Sequence, residues 1–161
     1  MSAPRPAVFD CNVFLQTMIS PDGPAHACWQ RVLAGEVTLY VTPFMLAEIR
    51  ELPDKPKLRR LDGFTPDRVE RFIEELLNAA QLVPDPAPSF AYPRDPDDAH
   101  YIDVAIATNA LLVVSNDKDL LALMDDENRE GYTLRAEHPT FAVLTPPQFL
   151  ARLPPRPALR S

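Results

Sequence analysis

Four acidic residues, Asp10, Glu48, Asp98 and Asp117, stand where a fold could gather carboxylates into one place. Asp10 closes the apolar run Ala7-Val8-Phe9, Glu48 follows Leu39-Tyr40-Val41, and Asp117 comes just after Leu111-Leu112-Val113-Val114. Asp98 belongs to an acidic stretch that opens a helix. Short apolar runs of this kind read as buried strands. In an open parallel α/β sheet, ligands bind outside the carboxyl ends of the strands, so side chains delivered there from several strands converge. Convergent carboxylates without a catalytic histidine pattern suit a hard divalent cation, which takes oxygen ligands.

Each carboxylate also has a plainer reading. Glu48 shares a helix face with Phe44, Met45 and Leu52, where an uncompensated charge costs several kcal/mol; Arg50, two residues along, points elsewhere, so Glu48 calls for another cation. Asp10 can serve as a ligand or cap the helix that follows it, and its position favours neither. Asp95-Pro96-Asp97-Asp98 reads as an N-cap, a first-turn proline and an approximate capping box. Asp98 is preferred over Asp97 because Ile102, Ala105 and Asn109 continue its face of the helix. Asp117 and Asp119 flank a helix start, one suited to capping and the other to holding an ion or water. Asp103 is set aside, being about 140° around the helix from Asp98.

The elements that must position these groups are punctuated by proline, with 19 prolines against four glycines. Strands are expected at residues 7–10, 37–41, 82–83, 111–114 and 141–144. Helices are expected at 12–19, 24–34, 44–52, 67–80, 95–110 and 118–124, with a terminal turn at 147–150. Thr42-Pro43 and Thr65-Pro66 each supply a cap followed by proline at the first helical position. Strands alternating with helical patterns predict a mainly parallel sheet of about five strands with helices on both faces. Residues 124–139, rich in charge, read as a mobile loop, and residues 153–161 as a loosely packed tail outside a single domain over 1–152.

Composition narrows the function. A chain of 161 residues with 46% apolar content accommodates one domain with a real core. No apolar run approaches the roughly 20 residues that span a bilayer, and the N-terminus lacks a secretory layout, so a cytoplasmic protein is expected. Cys11 and Cys28 form no disulfide or zinc pattern and read as free thiols. His26, His100 and His138 have no metal or triad spacing, and no glycine-rich phosphate loop or nucleophile elbow is present. The net charge of −7 argues against gripping nucleic acid through the overall field. A local clump of Lys55, Lys57, Arg59 and Arg60 could still hold phosphates; an ordinary solvated loop accounts for it equally well.

Taken in order, Val8-Phe9-Asp10-Cys11-Asn12, Leu46-Ala47-Glu48-Ile49, Arg94-Asp95-Pro96-Asp97-Asp98 and Ser115-Asn116-Asp117-Lys118-Asp119-Leu120-Leu121 resemble the motifs of PIN-domain proteins. Within that group the chain is similar to VapC-type ribonucleases, the toxins of toxin–antitoxin pairs, and Leu144 to Leu150 resembles their ending. The resemblance implies a PIN-like α/β fold and a Mg2+- or Mn2+-dependent endoribonuclease that hydrolyses RNA phosphodiester bonds. It further implies metal-binding and catalytic roles for Asp10, Glu48, Asp98 and Asp117, supported by Asn12, Ser115 and Asp119, with a small antitoxin partner and a homodimer. One departure is Ala99, where relatives often carry a polar or acidic residue, which leaves Asp97 as the alternative to Asp98. Two other readings follow. A PIN-fold module could bind RNA or protein without turnover. A phosphatase of the haloacid-dehalogenase type also begins with an aspartate after its first strand, but that chemistry wants an aspartate where Asn12 stands.

Overall fold

Strand β1, Arg5–Phe9, ends in three buried residues and sits at the centre of the sheet. The computed structural model describes residues 3–155. Beside β1 the chain lays β2, Val37–Val41, and then β3, Gln81–Leu82; on the other side lie β4, Leu112–Val114, and β5, Ala142–Leu144. The order is β3-β2-β1-β4-β5, and all four pairings are parallel. Connections from β1 and β4 therefore run to opposite halves of the sheet and open a crevice between the carboxyl ends of these two strands. Asp10 and Ser115 are the first residues beyond them, and the Asp10 N–H donates to the Val114 carbonyl at 3.1 Å.

Eight α-helices occur among the described residues: α1 (Cys11–Ile19), α2 (Pro24–Leu33), α3 (Pro43–Glu51), α4 (Pro66–Ala79), α5 (Ala99–Ala107), α6 (Lys118–Leu121), α7 (Arg129–Glu137) and α8 (Pro146–Arg152). Thr42 and Thr65 cap α3 and α4, each followed by proline at the first turn. The core is held by apolar strand residues such as Val8, Leu39 and Val113, and by a run of rings from Trp29 through Phe72 and Phe14 to Phe9 and Phe149. Helix α5 packs on β1 and β4. That contact brings the residues at its N-terminus to the crevice.

Three expectations are corrected. Residues 124–139 are no loop: a short 3-10 turn, Ala122–Met124, leads into α7, whose start is capped by the Asn128 side chain accepting from the Gly131 N–H at 2.8 Å. Only Gly131 and Leu134 of this helix are buried, too few to print an amphipathic stripe. The terminal turn is α8, launched by a capping box of Thr145 and Gln148. The helix expected to reach Ala110 ends at Ala107, and β4 starts at Leu112, because Asn109 and Leu111 take left-handed backbone angles of 58° and 54°. Of the expected tail, Leu153 is buried and the Pro154 carbonyl accepts from Arg31 at 2.8 Å; residues 156–161 lie outside the described residues. No helix among the described residues is long and apolar enough to cross a membrane.

Helix α7 seats on the preceding turn through Gly131, where a Cβ would lie 2.0 Å from the Leu123 carbonyl oxygen. Because that neighbour is backbone and cannot rotate away, Gly131→Ala should destabilise the fold by about 2 to 3 kcal/mol. Urea denaturation measures this. An unchanged midpoint would contradict the close seating of α7.

Candidate metal centre

Asp10 occupies the N-cap of α1, where its Oδ1 accepts from the Val13 N–H at 2.9 Å. Its Oδ2 accepts from the Ser115 hydroxyl. Capping and cleft placement thus coexist in one side chain, which is only 4% exposed. Burial pushes its carboxyl up to about 6, against the lowering effect of Ser115 and Val13, and the negative charge of Asp117 adds to the rise. Ser115 is fully buried and joins two acids: besides donating to Asp10, its oxygen accepts from the Asp117 N–H at 2.8 Å. Asp117 in turn caps α6 by accepting from the Asp119 N–H at 2.7 Å.

Asp98 ends a 3-10 turn, Pro96–Asp98, at the entrance to α5. The expected capping box is absent, since neither Asp95 nor Asp98 makes a side-chain capping bond. The Asp98 side chain turns inward instead: it is 8% exposed, and its Oδ2 is buried without a hydrogen-bond partner. Burial first, and then the negative charges of Asp117 and Asp95, push its carboxyl up to about 8. Asp97 is exposed. Carboxylate oxygens of Asp95, Asp98, Asp117 and Asp119 lie within 4.8 Å of one another. Asp95 is the member that sequence reasoning missed, because the Asp-Pro pair reads so readily as a cap.

Asp10 and Glu48 are outside this quartet but share a cleft of about 290 Å³ with Asp98 and Asp117, lined also by Cys11, Asn12, Lys55, Leu58 and Tyr101. Glu48 is half-buried on α3, where the Tyr101 hydroxyl donates to its Oε1 at 2.7 Å. The same Tyr101 oxygen accepts from the Cys11 N–H at 3.0 Å. Burial raises the Glu48 carboxyl, while Tyr101 and the charge of Lys55 pull it back. Arg50 pairs with Glu70 at 2.7 Å and is no partner for Glu48. Tyr101 was also missed, although it follows Asp98 by three residues and so shares its helix face. Asn12 stands exposed at the cleft edge.

Asp103 faces away, accepting from the Ser89 N–H and hydroxyl and the Phe90 N–H. Of the basic clump, Lys55 lines the cleft, while Lys57, Arg59 and Arg60 lie exposed in the turns that follow it. Cys11 is a free thiol pushed up to about 12 by burial and by Glu48, so it stays protonated.

An oxygen-only donor set, a buried carboxylate oxygen without a partner, and an Asp98 carboxyl raised by burial and by the charges of Asp117 and Asp95 fit a hard divalent cation, which would supply the missing compensation.

A five-stranded parallel sheet with acids converging at the carboxyl ends of its strands defines a PIN-like α/β protein. The chain belongs to the PIN domain family, whose model matches residues 6–119; such domains are typically nucleases that use divalent metals. It is 29% identical over 143 residues to the uncharacterized protein MJ1680 of Methanocaldococcus jannaschii, covering 89% of this chain and 88% of the relative. Among solved structures, VapBC2 of Rickettsia felis, bound to a DNA fragment from its promoter, superposes with a TM-score of 0.53 at 14% identity, over 87% of this chain and 98% of that one. The PIN domain endonuclease Utp24 gives a TM-score of 0.49 at 14% identity, over 89% of this chain and 86% of that one.

The raised carboxyls predict a pH dependence. Asp10 and Asp98 titrate above the ordinary 3.8 when folded, so the folded chain holds protons that the unfolded chain releases. Without divalent ions, their contribution is complete below about pH 4 and is lost as pH rises through about 6 and about 8. The melting temperature in chelator should fall over that range, and Mg2+ should restore most at its alkaline end. A melting temperature in chelator that stays flat or rises would contradict the burial and crowding of these acids.

Proposed function

We propose that this protein is a Mg2+- or Mn2+-dependent endoribonuclease that acts as the toxin of a toxin–antitoxin pair. The observation that carries the reading is the unpartnered, buried Oδ2 of Asp98, a residue whose carboxylate lies within 4.8 Å of those of Asp95, Asp117 and Asp119. Asp98 and Asp117 would hold a cation from within the quartet, with Asp95 and Asp119 beside them and Asp10 and Glu48 lining the cleft. When bound, such an ion supplies Lewis-acid polarisation of a phosphate and a water of lowered pKa.

The chain's own residues do the positioning. Ser115 locks Asp10 and Asp117 in register, and Tyr101 ties Glu48 to the start of α1. Lys55 brings a positive charge to the cleft wall. Lys57, Arg59 and Arg60 continue from it as a track for the phosphate backbone, a local attraction inside a molecule of net charge −7. RNA as substrate, a small antitoxin partner and a homodimer in the cytoplasm complete the reading, on the strength of the resemblance to VapC-type toxins and the likeness in fold to a VapBC complex.

Asp10→Asn tests the chemistry without losing the helix start, because asparagine caps as well as aspartate. Metal-dependent cleavage of a mixed RNA panel should drop by about two orders of magnitude or more, the scale on which charge-stabilising groups act. The melting temperature should hold or rise as a buried charge is removed. Full cleavage by the variant would sink the assignment. Charge reversal of Lys57 and Arg59 together should weaken RNA binding and flatten its log–log salt dependence by about 1.4, two single-strand phosphate contacts at roughly 0.7 each. An unchanged slope would remove these residues from the interface.

A further inference from the structure

One member of the carboxylate quartet already has a cation, supplied by the chain itself. Arg94, the residue before Asp95, donates from Nε to the Asp119 Oδ1 at 2.7 Å. The pair is open to solvent, with 53% of the Arg94 side chain and 34% of the Asp119 side chain accessible, and exposed pairs of this kind hold weakly. Nor does the Asp119 backbone depend on Arg94 for its place. Its N–H donates to the Asp117 Oδ1 at 2.7 Å, and its carbonyl accepts from the Tyr92 hydroxyl at 2.6 Å. Arg94 can therefore leave without freeing the backbone that carries the Asp119 side chain. The Oδ2 of buried Asp98, another member of the quartet, has no such partner.

We propose that Arg94 is an internal counter-cation that competes with a divalent ion for Asp119. It neutralises the outer side of the quartet and swings into solvent when an ion takes that carboxylate. A point charge of +2 reaching several carboxylates at once outbids a single guanidinium reaching one. Arg94 is thus a positioning residue that lowers the ion affinity of the quartet, and the inference rests on the reading of the quartet as a metal site.

Mn2+ titration of the full chain, followed by the electron paramagnetic resonance of free Mn2+ at fixed ionic strength, tests this without any cleavage assay. Arg94→Met should tighten Mn2+ binding about two- to fivefold, the range expected on removing an exposed competing pair, and Arg94→Lys should tighten it less. Arg129→Met removes an exposed cation lining the same neighbouring pocket as Arg94 and reports the general field effect alone. Binding by Arg94→Met that matches Arg129→Met, or is weaker than the unaltered protein, overturns the proposal. Asp98→Asn separates the two levels: if the unaltered protein binds no Mn2+ that this variant loses, the metal reading itself fails and the inference goes with it.

Discussion

Negative charge crowded into the crevice between β1 and β4 is the constraint to which the surrounding structure answers. Parallel strands leave their carboxyl ends side by side, and the chain places Asp10 after one and Ser115, Asp117 and Asp119 after the other. Asp98 arrives from the start of α5, which packs across both strands. Burial first, and neighbouring negative charge second, raise the carboxyls of Asp10 and Asp98. Local hydrogen bonds moderate the crowding. Asp10 and Asp117 each use one oxygen to cap a helix, and Ser115 and Tyr101 hold acids that would otherwise turn to water. What these bonds leave over, above all at the Asp98 Oδ2, is the charge that our proposal assigns to a cation.

The positive charges are arranged around that core of acid. Lys55 lines the cleft, and Arg94 pairs with Asp119. The remaining basic residues of the clump stand outside, in solvent. In the proposed reading, such a layout would let an acidic protein draw a phosphate chain locally while its overall field repels it. It also makes any RNA contact sensitive to salt, as single-strand phosphate binding is.

Much of this was legible in the sequence, for physical reasons. Apolar runs of three or four residues with an acid at or just beyond their ends mark buried parallel strands whose carboxyl ends could carry a site, which puts Asp10 and Asp117 there without a structure. Thr-Pro pairs announced α3 and α4 because capping is local chemistry. Where a residue's partner lies far along the chain, the sequence was silent. Tyr101 meets Glu48 across 53 positions, and Ser115 meets Asp10 across 105. Asp95 was read as a cap because the dipeptide is compatible with capping, and only packing decides that its carboxylate joins Asp98. Helix α7 buries two residues, one of them a glycine, so its hydrophobic pattern is nearly blank. Asn128 was its one local signal.

The central claim, that the quartet and cleft are built around a divalent cation, is tested most directly by anomalous scattering from crystals of the protein soaked in Mn2+. The account predicts a difference peak above the manganese edge among Asp95, Asp98, Asp117 and Asp119, with the Asp98 Oδ2 among its ligands. Saturating Mn2+ with no peak there, or with peaks only at surface acids away from Asp98, would contradict it.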